Sequence, residues 1–258
     1  MLVSLVALTG CRGDGDVVED ESITAVELYE NAKKAMNNGS YERAIRQYRL
    51  LQSRFPFGRY AEQSQLELAY SYFKNFDPEL ADATLDRFLR TYPTHQNADY
   101  AYYLKGLIGF SRNRGVLTRL LGISTSNRDL EFARDAFRSF GELIQRYPDS
   151  RYAEDARDRM LYLRDEMAAY EVEVARYYMR RKAYIAAANR AKYVVENYQE
   201  APQSGDALAI MTEAYELLEF PELSEDAYRV LRLNYPEHPY ITGRYEKESL
   251  LRRLWPFD

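Results

Sequence analysis

Residues 55–61, Phe55-Pro56-Phe57-Gly58-Arg59-Tyr60-Ala61, carry the pattern that decides the fold: an aromatic residue, a proline, and five positions beyond the proline a small residue where helical periodicity resumes. The corner returns as Tyr92-Pro93 with Ala98 and as Tyr147-Pro148 with Ala153. Weaker copies stand at Tyr198-Gln199 and Tyr235-Pro236. Self-similarity at this period means that each unit is one supersecondary element that buries its apolar face only against its neighbours, so the chain is predicted to be a stack.

Between corners the pattern fits the tetratricopeptide repeat, a helix pair of about 34 residues with small residues at the crossing and a proline at the close. Unit one opens on the capping-box pair Thr24 and Glu27. It places Ala32 and Ala44 at the crossing, with Tyr48 and Leu51 following and Pro56 closing. Its turn is Asn38-Gly39-Ser40, with glycine as helix stop and serine as the next cap. Unit two repeats the offsets with Ala69, Tyr72, Ala81, Leu85, Phe88 and Pro93, and its turn Asp77-Pro78 sets a cap before a proline at the first helical position. Unit three has Gly106, Ala136, Phe140, Leu143 and Pro148. Unit four has Ala175, Tyr178, Ala187, Ala191 and Val194, and closes at Gln199 in place of proline. Unit five has Tyr215, Tyr228, Leu231 and Pro236, with Thr212 and Ser224 where alanine is usual. The expected fold is all-α, a tetratricopeptide-repeat superhelix of five helix pairs in two modules.

The corners are unevenly spaced: 37 residues from Pro56 to Pro93, 55 to Pro148, 51 to Gln199 and 37 to Pro236. In unit three the surplus falls between the two helices, at residues 111–128. In unit four it lengthens the first helix, because Tyr152 to Met179 contains neither Gly nor Pro. Such a helix would be a rod of about 42 Å at 1.5 Å per residue, a bridge between an N-terminal three-repeat module, residues 24–150, and a C-terminal two-repeat module, residues 151–237. Residues 238–258 form a C-terminal extension.

The 258 residues carry a net charge of −5, most of it in the acidic tether of residues 11–23. The remaining body is near neutral, which speaks against a nucleic-acid surface. Met1 to Gly10 is uncharged and mostly apolar and runs into Cys11, the chain's 1 cysteine. Ten residues are too few to span a bilayer, which needs about 20. Leu8-Thr9-Gly10-Cys11 resembles the bacterial lipobox, so residues 1–10 are expected to be a lipoprotein signal peptide and Cys11 the acylated residue, although no basic residue precedes the apolar run as export signals usually require. One cysteine allows no intrachain disulfide.

No catalytic constellation emerges. His95 and His238 both follow tyrosine-proline corners and lack partners for a metal set, so they are expected to be surface or capping residues. No nucleotide-binding or nucleophile-elbow motif occurs. Carboxylates such as Glu171 with Glu173 and Asp155 with Asp158 stand among Arg and Lys and are expected on solvated helix faces. No enzyme activity, cofactor or metal is implied.

Binding surfaces are the better candidates. The repeat register puts positions 2, 5, 9 and 12 of each first helix on the concave side. A substrate-peptide groove is therefore expected at Tyr29, Lys33, Tyr70, Phe73, Lys74, Tyr100, Tyr103 and Phe110. Such a surface suits an extended peptide with apolar or aromatic side chains. The 111–128 insertion has no acidic residue before Asp129; Arg112, Arg114 and Arg119 alternate with Leu117 and Leu120. A long loop inside a compact repeat is usually functional, here either a lid on the groove or a partner contact.

Taken with the tether and the two enlargements, the strings Arg54-Phe55-Pro56-Phe57-Gly58, Asp86-Arg87-Phe88, Tyr92-Pro93-Thr94-His95 and Asn189-Arg190 resemble the BamD (ComL) family of outer-membrane assembly lipoproteins. That resemblance implies a non-catalytic subunit of the β-barrel assembly machinery, lipid-anchored in the outer membrane and facing the periplasm. Its implied partners are the BamA periplasmic domains, other lipoproteins of the machinery and unfolded outer-membrane proteins, with no nucleic acid. Carried over by position, Arg190 would belong to the BamA-facing surface, where a guanidinium could pair with a carboxylate. The older family name points to an alternative, an envelope adaptor associated with peptidoglycan or competence. The tail after Pro239 has no counterpart in the family pattern; its apolar and basic residues suit capping of the last repeat or contact with another subunit.

Overall fold

The computed structural model describes residues 23–112 and 127–243; Cys11, the tether, residues 113–126 with Arg114, Leu117, Arg119 and Leu120, and residues 244–258 lie outside them. The described residues form eleven α-helices and no strand: α1 Ala25–Asn37, α2 Tyr41–Arg54, α3 Arg59–Lys74, α4 Pro78–Thr91, α5 Ala98–Arg112, α6 Asn127–Arg146, α7 Ala153–Arg180, α8 Tyr184–Asn197, α9 Ser204–Leu217, α10 Pro221–Asn234 and the single turn α11 Pro239–Thr242. The first ten are the five expected pairs. Contacts group the residues up to Thr84 and those from Leu85 onward into two compact units. α1, α2 and α3 pack together in the first unit. In the second, α5 packs on α6, α6 on α7, α7 on α8, α8 on α9 and α9 on α10.

The corner works by the same backbone device at every copy. The aromatic residue ends a helix, and its N–H donates to the carbonyl of the residue four before it. The bonds run from Phe55 to Leu51, Tyr92 to Phe88, Tyr147 to Leu143, Tyr198 to Val194 and Tyr235 to Leu231, each at 2.8 Å. Each acceptor residue is wholly buried, so the last turn of the helix is anchored in the core as the chain turns out. Two residues beyond the corner's second position a side chain accepts from the backbone N–H two residues further on. His95 Nδ1 accepts from Asn97 N–H, Ser150 Oγ from Tyr152 N–H and His238 Nδ1 from Tyr240 N–H. Among these three, only the bond of His238 caps a helix, α11; those of His95 and Ser150 brace the turn before one.

At the crossings, Ala32, Ala44, Ala69, Ala81, Ala136, Ala175 and Ala187 are fully buried. Gly106 is required by contact: a Cβ there would fall 2.3 Å from Phe140 Cε1. In the fifth pair the exceptions compensate each other, since Thr212 Oγ1 donates to Leu208 O and Ser224 Oγ crosses to Thr212 O at 3.0 Å. Hydroxyls replace alanines there without leaving a buried polar group unpaired.

The turns inside the pairs also share a form. Ser40, Asp77, Ala183 and Phe220 each donate N–H to the carbonyl five residues earlier, the longer bond of a Schellman stop. The preceding residue is left-handed: Gly39, Phe76, Lys182 and Glu219. Only the first is the glycine that this conformation favours. The capping box at Thr24 forms as expected, with Glu27 N–H donating to Thr24 Oγ1 and Thr24 N–H to Glu27 Oε2. Ser40, expected to cap α2, makes no side-chain cap bond.

α7 runs unbroken through 28 residues, one residue offset from the expected rod. α5 extends to Arg112 and α6 starts at Asn127, so both ends of the expected 111–128 insertion are helical. No helix among the described residues is long and apolar enough to cross a membrane.

Candidate functional site

Within the second unit, α5 and the first half of α7 together build an aromatic wall. Tyr103 stacks on Tyr152 at 4.6 Å between centroids, with 16° between planes. Tyr152 also meets Tyr100 at 5.6 Å, and Phe110 meets Tyr162 at 5.6 Å. All five rings are half-buried, so one part of each packs and the rest faces outward. In the middle sits a charged pair: Arg159 Nε and Nη2 donate to Asp155 at 2.6 and 3.2 Å. Tyr103 Oη donates to Asp155 Oδ2 at 2.7 Å, and the Arg159 guanidinium lies 4.8 Å from the Phe110 ring centroid.

The electrostatics follow from that geometry. The Arg159 hydrogen bond, offset in part by burial, holds the Asp155 carboxyl below its ordinary value. Burial first, then the bond to Asp155, pushes the Tyr103 phenol up. The wall is therefore a row of rings around a neutralised ion pair. It offers apolar contact, ring edges and hydroxyls to an extended chain.

The expected groove residues separate on inspection. Tyr100, Tyr103 and Phe110 belong to this wall. Tyr29, in the first unit, is only 6% exposed and serves packing: its hydroxyl donates to Glu67 Oε1 at 2.7 Å, while Tyr48 donates to Glu67 Oε2 at 2.5 Å. Lys33 Nζ lies 5.4 Å above the Tyr29 ring. Tyr70 is half-buried against Tyr41; Phe73 is half-buried and Lys74 exposed. Tyr152, Asp155, Arg159 and Tyr162 of the wall were not anticipated.

The partner-surface candidates separate too. Arg112 ends α5 with its guanidinium 3.9 Å from the Phe132 ring centroid. Arg190, on α8, donates from Nη1 to Glu171 Oε2 at 3.0 Å, and Arg134 of α6 reaches Glu171 Oε1 at 3.5 Å. Glu171 was expected on a solvated face and is instead 1% exposed. The correction has a plain cause: α7 is sandwiched between α6 and α8, so a mid-helix carboxylate is buried and needs cations from both neighbours. Arg190 remains half-exposed along its outer edge. No cluster of metal-ligating side chains occurs among the described residues.

Comparison with known proteins places residues 21–230 in the match to a family model described as YfiO, outer membrane lipoprotein. The chain is 43% identical over 255 residues to the outer membrane protein assembly factor BamD of Neisseria gonorrhoeae, covering 97% of this chain and 96% of that protein. It is 37% identical over 258 residues to the protein of the same name from Xylella fastidiosa strain 9a5c, covering 100% and 88%. The Vibrio cholerae protein of that name is 39% identical over 233 residues, covering 90% and 96%. Among solved structures, MamA aligns at 15% identity with a TM-score of 0.36, covering 87% of this chain and 97% of that chain.

Proposed function

The chain belongs to the YfiO family of outer membrane lipoproteins, and on that premise we propose that it is a non-catalytic subunit of the β-barrel assembly machinery that receives unfolded barrel-protein segments on the α5–α7 wall. A role in outer membrane protein assembly is the coarse statement its relatives support. The observation that carries the finer reading is the wall itself: five half-open rings around the Asp155–Arg159 pair. Barrel strands are apolar at alternate positions, and ring faces accept such side chains without demanding one sequence.

The division of labour follows the wall, with residues 24–150 and the first half of α7 for substrate and the rest of residues 151–237 for the machinery. The C-terminal module meets the BamA periplasmic domains, with the outer edge of Arg190 among its contacts. Acylation of Cys11 holds the protein on the membrane, stably once two or more chains are attached. Arg112, Arg114, Leu117, Arg119 and Leu120 supply either a lid or a contact to another lipoprotein of the complex.

The full chain should bind the isolated BamA periplasmic domains in a pull-down. Arg190→Gln should weaken that binding about tenfold at a temperature well below its melting point, which falls because buried Glu171 loses one of its two cations. Charge reversal is a poorer probe, since it would set a second carboxylate against buried Glu171. No binding by the unaltered chain would overturn the partner assignment.

A further inference from the structure

The last helix pair carries an apolar strip on its outer side that its predecessors lack. Leu223, Val230 and Leu233 of α10 are 47%, 39% and 79% exposed. At 100° per residue they fall within about 80° of one another, beside the buried ridge of Ala227 and Leu231. The positions lie thirteen, six and three residues before the corner's second residue. The same offsets hold Arg43, Leu50 and Ser53 in α2, Leu80, Arg87 and Arg90 in α4, Asp135, Glu142 and Gln145 in α6, and Ala186, Tyr193 and Glu196 in α8. α10 alone among these second helices has large aliphatic residues at all three. The equivalent faces elsewhere are mixed or charged, as a solvated outer surface should be.

The chain leaves the stack on the Tyr228–Leu231 side of α10, around the helix from this strip. After the corner at Tyr235-Pro236, α11 occupies the start of what would be a sixth first helix. His238 caps it, and Tyr240 and Ile241 pack against Leu208, Ala209 and Leu231. The sixth helix stops after one turn at Gly243, which is left-handed with φ 72° and so turns the backbone away at a position glycine suits.

The tail beyond Gly243 is apolar and basic within reach of the strip. Residues 250–257 read Leu250-Leu251-Arg252-Arg253-Leu254-Trp255-Pro256-Phe257. Six residues, 244–249, separate Gly243 from Leu250; extended, they reach about 20 Å. α10, with 14 residues, is about 21 Å long. Its first half exposes Glu222, Glu225 and Asp226, which complement Arg252 and Arg253.

We propose that residues 250–257 dock on the Leu223–Val230–Leu233 strip of α10, so that the chain caps its own last repeat with the segment that lies beyond the aborted sixth helix. The occupant is this chain's own tail rather than a further subunit. Tethering by six residues gives it a far higher effective concentration than a free partner.

The test is a photocrosslinking residue, p-benzoylphenylalanine, at Val230 of the full chain, in a dilute mixture of light and heavy isotopic copies. The expected product joins the peptide of residues 221–234 to that of residues 250–257, light to light and heavy to heavy. Deleting residues 244–258 should speed amide exchange in α10 about tenfold while leaving α8 unchanged. Leu251→Asp with Trp255→Asp, which preserves chain length, should do the same if the deletion folds poorly. Light-to-heavy products would assign the strip to a second copy. Those products, no intramolecular product, or exchange in α10 indifferent to both variants would each overturn the proposal.

Discussion

The triplet Arg-Tyr-Ala follows two of the corners, at Arg59-Tyr60-Ala61 and at Arg151-Tyr152-Ala153, and the two copies lead to different surfaces. In both, the arginine lies 4.7 Å over the ring of the tyrosine after it. In both, that tyrosine packs on a tyrosine of the preceding first helix, Tyr60 on Tyr29 and Tyr152 on Tyr103. In both, the earlier tyrosine donates to a carboxylate of the later first helix at 2.7 Å, Glu67 in one case and Asp155 in the other. The third partner decides the outcome. Glu67 also accepts from Tyr48 and Gln63, which closes the cluster around buried hydroxyls and staples α1, α2 and α3. Asp155 accepts instead from Arg159, which leans on Phe110 and leaves the rings half open. One local sequence device thus yields a staple in the first unit and a wall in the second.

The sharpest way to break the contrast is to remove the staple's acceptor. Glu67→Ala leaves the Tyr29 and Tyr48 hydroxyls buried without their carboxylate, and thermal melts should show a loss of about 2–4 kcal/mol. A loss near zero would mean that the cluster is not a staple.

The wall depends on close approach of α5 to α6. Gly106→Ala, which pushes a methyl into the Phe140 ring, should cost about 1–3 kcal/mol by denaturant titration and loosen Tyr103, whose ring also rests on Phe140 at 6.0 Å.

Titration separates the two clusters more gently. Burial first, then the bond to Glu67, hold the Tyr29 and Tyr48 phenols above their ordinary value of 10.0. A phenol raised on folding keeps its contribution below the unfolded value and loses it as pH rises beyond. Tyr48→Phe should therefore flatten the alkaline limb above about pH 10. Asp155 is displaced the other way, below 3.8; its contribution is present above that value and fades as pH falls beneath it. Asp155→Asn should flatten the acid limb slightly, because the carboxylate is half exposed to screening water, and should also trim the alkaline contribution of Tyr103, whose phenol that carboxylate helps to raise. Urea melts across pH would show both limbs.

Much of this was legible in the sequence. The corner, the crossing alanines and the Gly/Pro-free run fix ten helices and the unbroken α7, because each rests on local backbone chemistry or on a period. Thr212 and Ser224 looked like defects, since a hydrogen bond across a helix crossing leaves no trace in spacing. The wall was half legible. Counting groove positions in the first three repeats found Tyr100, Tyr103 and Phe110, but the surplus residues in α7 put Tyr152, Asp155, Arg159 and Tyr162 outside that count. The repeated Arg-Tyr-Ala was the signal that could have found Tyr152. Glu171 was misread for a related reason: burial of a mid-helix carboxylate depends on which helices flank it, and three distant residues, Arg134, Glu171 and Arg190, meet only in the fold.

The central claim, that the α5–α7 wall receives substrate chains and the Tyr29 cluster does not, is tested most directly by titrating the full chain with a fluorescent peptide. The peptide should alternate apolar and polar residues and end in an aromatic one. Tyr103→Ala with Tyr152→Ala should weaken binding about tenfold or more with secondary structure intact, whereas Tyr29→Phe with Tyr48→Phe should lower the melting temperature and leave affinity within about twofold. Undiminished binding by the Tyr103/Tyr152 variant, or loss of binding confined to the Tyr29/Tyr48 variant, would contradict the assignment.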